Sequence, residues 1–226
     1  MTSSLLPNAS KRRVQDSVDA SLESLSPKGR RTRDRLLAGA RRAFGDSGSY
    51  VDTRIIDIAK ESGVAYGSFY TYFDSKEQLF YELAASVVNE MYEEGTSRYR
   101  GDDPIERIDS ANRQFLASYR EHAVMMTIIE QATALYPDLR ELRRELRGRF
   151  VERIQVNIER WQSRGIAESS LDSHLAAHAL ISLTDNFGYL WFVLGEPFEE
   201  EPALQTITNL WVQALGIRRD IDPVVK

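Results

Sequence analysis

The most informative absence from this sequence is cysteine. None of its 226 residues is a cysteine, which excludes disulfides, thiolate metal sites and cysteine nucleophiles. Histidine is scarce, with three in the chain. The sequence also has no glycine-rich phosphate loop and no G-x-S-x-G elbow, which argues against the common enzyme classes. An all-α acid–base enzyme that uses Glu130 or Asp185 stays open as an alternative.

Long apolar runs are also missing. No stretch approaches the roughly 18 residues that are needed to span a bilayer. In residues 1–13 the positive charges follow a weak apolar stretch, which reverses the order of a signal peptide. With 42% hydrophobic and 28% charged residues, the composition is that of an ordinary globular protein. We therefore expect a cytoplasmic protein with no membrane partner.

Charge is distributed unevenly along the chain. Residues 1–80 hold 13 Lys and Arg against 10 Asp and Glu, whereas residues 81–226 hold 16 against 24. Seven basic residues and one acid fall within residues 28–42. This asymmetry suggests a small basic module, which a phosphate backbone would attract, on a larger acidic one. A solvated helix face would give the same basic run, so charge alone does not decide.

Apolar residues recur with helical spacing, and no segment alternates as a strand does. We predict an all-α protein of about nine helices. Breaks in the pattern place a disordered arm at 1–27, a three-helix module at 28–80, a larger helical domain at 81–218 and a flexible tail at 219–226. Within the larger domain we expect helices at 105–121, 123–135, 138–164, 171–194 and 202–215.

The segment from Thr53 to Lys76 has the plan of a helix-turn-helix motif. Asp52 or Thr53 is expected to cap a helix that Gly63 ends, and Ser75 is expected to cap the helix that follows the motif. A short helix is expected between Gly63 and Ser75. Small Ala59 would let the two motif helices cross closely, and the second would present its exposed face to a partner.

The same string resembles the signature of the TetR family of DNA-binding regulators. The matching residues are Ile58-Ala59, Gly63-Val64, Phe69-Tyr70-Thr71-Tyr72-Phe73 and Ser75-Lys76-Glu77-Gln78-Leu79. The likeness covers about residues 33–83, and beyond them it is architectural only. It implies that residues 28–80 read DNA, while residues 81–218 bind a ligand and dimerise.

The resemblance implies particular DNA contacts. Base edges in the major groove and nearby phosphates would be met by Thr53, Arg54, Ala65, Tyr66, Gly67, Ser68, Tyr70, Tyr72 and Lys76. The basic run Arg30, Arg31 and Arg33 would extend into the minor groove. Ile56 stands where relatives often carry a polar DNA contact, and Arg54 replaces a small hydroxyl residue. An aromatic core is the interpretation for Phe69 and Phe73 and the alternative interpretation for Tyr66.

A dimer is expected because a single helix-turn-helix makes too few contacts for a specific operator. The resemblance implies an interface formed by the last two helices. Its predicted residues are the apolar stripe Leu204, Ile207, Trp211 and Leu215. The alternative is that this stripe is core within one chain.

The middle helices hold aromatic and flexible side chains suited to an apolar ligand pocket, with a few polar residues among them. The predicted ligand contacts are Phe115, Tyr119, Met126, Glu130, Trp161, Asp185 and Tyr189. For any one of them, a plain core position is the alternative. His174, His178 and Asp185 share a helix face, but Asp185 lies about 10 Å farther along the axis, so no metal site is predicted.

These observations together predict a repressor. It would bind an inverted repeat in double-stranded DNA as a homodimer and respond to a small apolar or amphipathic effector, without a cofactor, in the cytoplasm beside the nucleoid. An architectural or adaptor protein that binds DNA without a ligand is the main alternative, and an enzyme is the third.

Overall fold

The computed structural model describes residues 25–94 and 99–217. Residues 1–24 of the predicted arm and the whole predicted tail, 219–226, lie outside these residues. The described residues form eight helices and no strand, which confirms the all-α prediction. The helices are α1 (Pro27–Ser47), α2 (Ile55–Ser62), α3 (Tyr66–Phe69), α4 (Lys76–Glu94), α5 (Pro104–Leu135), α6 (Pro137–Ser163), α7 (Ser173–Phe192) and α8 (Glu200–Ala214).

The chain divides into two compact units, one ending at Leu83 and the other beginning at Ala84. The division falls within α4, so this helix contributes residues to both units. No helix among the described residues is long and apolar enough to cross a membrane.

The helix ends of the first unit follow local chemistry. Ser26 caps α1 by accepting a hydrogen bond from Gly29 N at 3.2 Å, and Ser75 accepts one from Gln78 N at 3.1 Å, as predicted. The predicted cap of α2 was wrong. Arg54 holds that position, and Asp57 accepts a hydrogen bond from Arg54 N at 3.1 Å, because the hydroxyl of Thr53 turns inward.

A close crossing of α1 and α2 builds the first unit. Gly39 of α1 and Ser62 of α2 are both buried. A Cβ at position 39 would lie 2.7 Å from Ser62 N and 2.8 Å from Ser62 Cα. Only glycine therefore allows the two helices to approach this closely. Close packing in this motif was predicted for Ala59 alone, and the contact between Gly39 and Ser62 was not predicted.

In the second unit, α5 is one continuous helix of 32 residues. The predicted break near residue 122 does not exist, since neither proline nor glycine interrupts the backbone ladder there. His122 lies within the helix with Nδ1 2.9 Å from Ser118 O. The helix ends at Leu135, and Pro137 opens α6, where its missing N–H costs nothing.

Aromatic stacking fills the core of the second unit. The ring of Tyr92 lies 4.5 Å from that of Phe150 and 6.2 Å from that of Phe115, nearly parallel to both. Burial raises the pKa of the Tyr92 hydroxyl. A Cβ on Gly188 of α7 would meet the ring of Tyr119 at 2.9 Å, so a side chain at this position would push α7 away from α5.

Candidate nucleic-acid interface and ligand cavity

The short helix α3 buries one face and shows the other to solvent. α2 ends at Gly63, whose φ of 63° is left-handed, and Val64 N donates to Ala59 O at 3.1 Å to close the turn. Phe69 anchors the inner face of α3 at 0% exposure, while Tyr66 on the outer face is 50% exposed. The aromatic-core alternative therefore holds for Phe69 but not for Tyr66.

Two exposed tyrosines pair on this outer face. The hydroxyls of Tyr66 and Tyr70 lie 3.1 Å apart, and their rings meet edge to face at 5.7 Å. The hydrogen bond with Tyr66 raises the pKa of the Tyr70 hydroxyl. The pair presents two hydroxyls that can each donate and accept, which is the kind of group that direct reading of base edges uses.

The neighbours of this pair leave space for a partner. Ala65 and Gly67 are exposed, and Ser68 and Tyr72 are half-buried. A Cβ at Gly67 would meet nothing within 4 Å. The fold of the chain itself therefore gives no reason for glycine at position 67, whereas close approach of DNA would.

Thr53 and Arg54 differ in accessibility. Thr53 is 1% exposed, and its hydroxyl donates to Ser49 O at 2.7 Å. The side chain of Arg54 is 74% exposed and pairs with Asp57 at 3.1 Å. The hydrogen bond from Arg54 lowers the pKa of the Asp57 carboxyl. Arg54 is thus placed to reach a phosphate, while the hydroxyl of Thr53 already has a partner.

The side chain of Lys76 makes its contacts within the first unit. Its Nζ donates to Tyr50 O at 2.9 Å and to Thr53 O at 3.0 Å, and it lies 4.5 Å from the centre of the Tyr50 ring. Burial lowers the pKa of this amine. The predicted phosphate contact of Lys76 stays a prediction, and the structure gives its amine two carbonyl partners.

The minor-groove role predicted for Arg33 is wrong. This residue is 3% exposed and forms an ion pair with Glu82 beneath the surface. Its guanidinium also stacks 4.7 Å from the ring of Phe73. Arg30 and Arg31 are exposed, so they are the members of the basic run that DNA would meet.

The second unit encloses a cavity of about 170 Å³. Its walls are mainly apolar and come from four helices, with the larger side chains being Ile108, Phe115, Phe150, Trp161, Ile181 and Trp211. A cavity of about 150 Å³ lined by such side chains is large enough for benzene. Of the predicted ligand residues, Phe115 and Trp161 lie here.

The polar side chains at the cavity were missed by the sequence analysis. They are Arg107 and Asn112 of α5, Arg153 and Asn157 of α6, and Thr184 of α7. Asn112 is 4% exposed, and its Nδ2 is buried without a hydrogen-bond partner among the described residues. Burying a donor without a partner lowers the stability of the folded protein by about 1–3 kcal/mol. Its position between Ile108 and Phe115 on one apolar helix face was the signal in the sequence.

The other predicted ligand residues lie elsewhere in the second unit. Glu130 and Asp185 form ion pairs with Arg143, and Asp185 also pairs with Arg147 at 3.2 Å. Tyr119 and Met126 are buried, and Tyr189 is half-buried, but none of them lines the cavity described above. Their contact with a ligand stays a prediction.

The stripe predicted for the dimer interface is core within one chain. Its members are between 0% and 6% exposed in the single chain: Leu204, Ile207, Trp211 and Leu215. Trp211 Nε1 donates to Thr184 Oγ1 at 2.9 Å. Apolar residues at helical spacing show that one face of α8 is buried. In this structure, other helices of the same chain cover that face. Other apolar residues of this region are exposed, namely Leu175, Leu194 and Leu210.

A helix-turn-helix unit with an exposed reading face, next in sequence to a helical unit with an apolar cavity, defines the class of DNA-binding transcriptional regulators. Comparison with known families agrees. Residues 36–83 match the family described as bacterial regulatory proteins, tetR family, and residues 108–216 match the C-terminal domain of the transcriptional regulator EthR. The chain belongs to the TetR family of transcriptional regulators.

Individual relatives are distant but cover the chain well. The HTH-type transcriptional regulator EthR of Mycobacterium tuberculosis is 25% identical over 210 residues, which is 88% of this chain and 97% of the relative. Two solved structures share the fold. The fatty acid degradation regulator FadR from Bacillus halodurans has a TM-score of 0.66 at 18% identity, covering 86% of this chain and 100% of FadR. A regulator from Saccharomonospora viridis in complex with choline has a TM-score of 0.65 at 22% identity, covering 80% of this chain and 95% of that one.

Proposed function

We propose that this protein is a repressor that binds an inverted-repeat operator as a homodimer and is controlled by a small effector in the cavity of its second unit. The observation that carries the DNA-binding part is the Tyr66–Tyr70 pair, which exposes two linked hydroxyls on a helix anchored by buried Phe69. A repressor of this kind acts on the chromosome, so we place it in the cytoplasm beside the nucleoid.

The dimer is proposed from the need to place two reading helices about one DNA turn apart, roughly 34–36 Å. Exposed leucines on α7 and α8 support this, since Leu175 is 63% and Leu210 is 42% exposed. Sedimentation equilibrium of Leu210→Glu tests it. We expect this variant to dissociate, while Val124→Glu, a change at a valine of α5 that is 54% exposed, should leave the dimer intact.

The effector is proposed from the cavity. The cavity has apolar walls and contains a buried donor without a partner. Leaving this donor unpaired destabilises the empty protein, and a ligand that accepts its hydrogen bond removes that penalty. One structural neighbour is described as a complex with choline, and another as a regulator of fatty acid degradation. We take the cavity as the place of the effector in this chain and its lining residues as the source of chemical selectivity.

Control of DNA binding requires that the effector favour one of two dimer states. It must bind the DNA-free form more tightly than the DNA-bound form, since equal binding would shift no population. We place this coupling in α4, because that helix contributes residues to both units.

The experiment that tests the proposal is capture of sheared genomic DNA from the source organism by the purified protein, followed by sequencing. We expect enrichment of a few fragments that share an inverted repeat. Tyr66→Ala should lose this enrichment while keeping its fold. Capture without a preferred sequence would favour the architectural alternative instead.

A further inference from the structure

We propose that the effector is an organic acid: an apolar body, ring-sized at its buried end, that carries one carboxylate. The inference deepens the proposed function, because it takes the cavity of the second unit as the effector site. It rests on the charge of the lining, on unused donors and on the size of the space.

The lining is positively charged in an acidic part of the chain. Arg107 and Arg153 both line the cavity, and no Asp or Glu is among its lining residues in the described chain. Residues 81–226, which supply the whole lining, hold 24 acidic against 16 basic residues. Two arginines without a carboxylate in the wall favour an anion, and apolar surroundings strengthen that attraction.

The neutral polar groups add donors to this charge. Nδ2 of Asn112 is buried without a partner among the described residues, and Asn157 lies one helical turn after Arg153 on the same face of α6. Thr184 is already used, since its hydroxyl donates to Leu180 O at 3.1 Å and accepts from Trp211 Nε1 at 2.9 Å. Nδ2 of Asn112 and the remaining N–H groups of Arg107 are donors that a ligand can meet, and a carboxylate is an acceptor only.

One arginine is held in place before any ligand binds. Arg107 donates from Nη2 to Gly101 O at 2.8 Å, and its guanidinium lies 5.9 Å from the centre of the Tyr99 ring. A guanidinium carries five N–H donors, so this bond leaves others for an anion. Arg153 is exposed. It therefore lines the cavity on the side that faces solvent.

The size of the space sets the apolar part. A volume of about 170 Å³ holds one ring, and aromatic side chains such as Phe115 and Trp161 would contact it. A phenyl ring on a short chain that ends in a carboxylate satisfies all three conditions, so 4-phenylbutanoate is the probe.

The test compares four molecules of one shape on the full-length protein: 4-phenylbutanoate, 4-phenylbutanamide, 4-phenylbutanol and 4-phenylbutylamine. Trp161 and Trp211, two of the three tryptophans, line the cavity, so tryptophan fluorescence reports occupancy and calorimetry gives the affinity. We expect the carboxylate to bind about 10- to 100-fold more tightly than the alcohol, and the amine to bind most weakly. Equal affinities, tightest binding of the amine, or no binding by any of the four would overturn the proposal.

Three variants locate the preference. Arg107→Gln and Arg153→Gln should each reduce carboxylate binding while leaving alcohol binding unchanged, and the double variant should abolish the preference. Arg149→Gln, one turn earlier on α6 and paired with Glu145 outside the cavity, should change nothing. A carboxylate preference that survives in the double variant, with its fold intact by circular dichroism, would refute the assignment.

The outcome is separable from that of the proposed function. Operator binding is measured in the same samples by fluorescence anisotropy. A carboxylate preference without any change in DNA affinity supports the acid site and refutes control by it. DNA release by effectors that bind without regard to charge supports the control and refutes the acid site.

Discussion

The amine of Lys76 lies over the ring of Tyr50 and donates to the main-chain carbonyl of the same residue at 2.9 Å. A second bond, to Thr53 O at 3.0 Å, ties the loop before α2 to the first turn of α4. The lysine thus joins two parts of the helix-turn-helix unit, the loop between α1 and α2 and the start of α4. The family resemblance implied a phosphate contact for Lys76, and the geometry of its amine indicates a structural role.

Lys76→Met tests this role. Loss of two hydrogen bonds from a charged, half-buried donor should lower the free energy of unfolding by about 1–3 kcal/mol, measured by urea denaturation. Lys60→Met, at an exposed lysine of α2, should have little effect on stability. If Lys76 instead contacts a phosphate, the salt dependence of DNA binding in Lys76→Met would flatten by about one unit.

Gly39→Ala should disrupt the crossing of α1 and α2. The added methyl group would lie 2.7 Å from Ser62 N, and the backbone there cannot yield without separating the helices. We expect a loss of about 1–3 kcal/mol in unfolding free energy. Gly45→Ala in the same helix meets nothing within 4 Å, so it should raise stability by up to about 1 kcal/mol through helix propensity. Equal effects of the two changes would contradict the account.

Asn112→Leu should stabilise the empty protein. Replacing a buried donor that lacks a partner by an apolar side chain of similar size removes a cost of about 1–3 kcal/mol, which thermal unfolding would detect. Thr184→Val is the contrasting change, because it leaves the indole N–H of Trp211 without its partner and should destabilise by a similar amount. A destabilised Asn112→Leu would mean that the amide already has a partner in solution.

Glu201 should titrate far below an ordinary glutamate. Hydrogen bonds from Arg113, at 2.6 and 2.9 Å, and then from Gln205 lower the pKa of its carboxyl to about 2. Since folding favours the ionised form, this stabilising contribution is present above the ordinary pKa of about 4.5 and is lost as the pH falls towards 2. NMR titration checks the value, and in Arg113→Gln it should return towards the ordinary one. An unshifted Glu201 in the parent protein would show that the pair does not persist in solution.

Local signals predicted the motif well. Gly63 ends α2 with a left-handed φ value, and Ser75 caps α4, because helix termini depend on residues within a few positions. The same reasoning predicted that Tyr66 is exposed and that Phe69 is buried, because the two occupy opposite sides of one short helix.

Elsewhere the predictions failed because they did not account for contacts between residues that are distant in sequence. Arg33 belongs to a basic run, yet Glu82, 49 positions later, draws it into the interior. The stripe that contains Trp211 has the periodicity of a buried face, but periodicity does not say whether the same chain or a second chain covers it. Arg107 and Arg153 carry no local sign that they share a cavity, since α5 and α6 bring them together only in the fold.

The central claim is that the exposed tyrosines of α3 read DNA sequence. The most direct test is the affinity of Tyr66→Ala for the captured operator and for random DNA, measured by anisotropy at fixed salt, with Tyr66→Phe to separate the hydroxyl from the ring. We expect a loss of about 1–3 kcal/mol on the operator and much less on random DNA. An equal loss on both, or no loss on the operator, would contradict the claim.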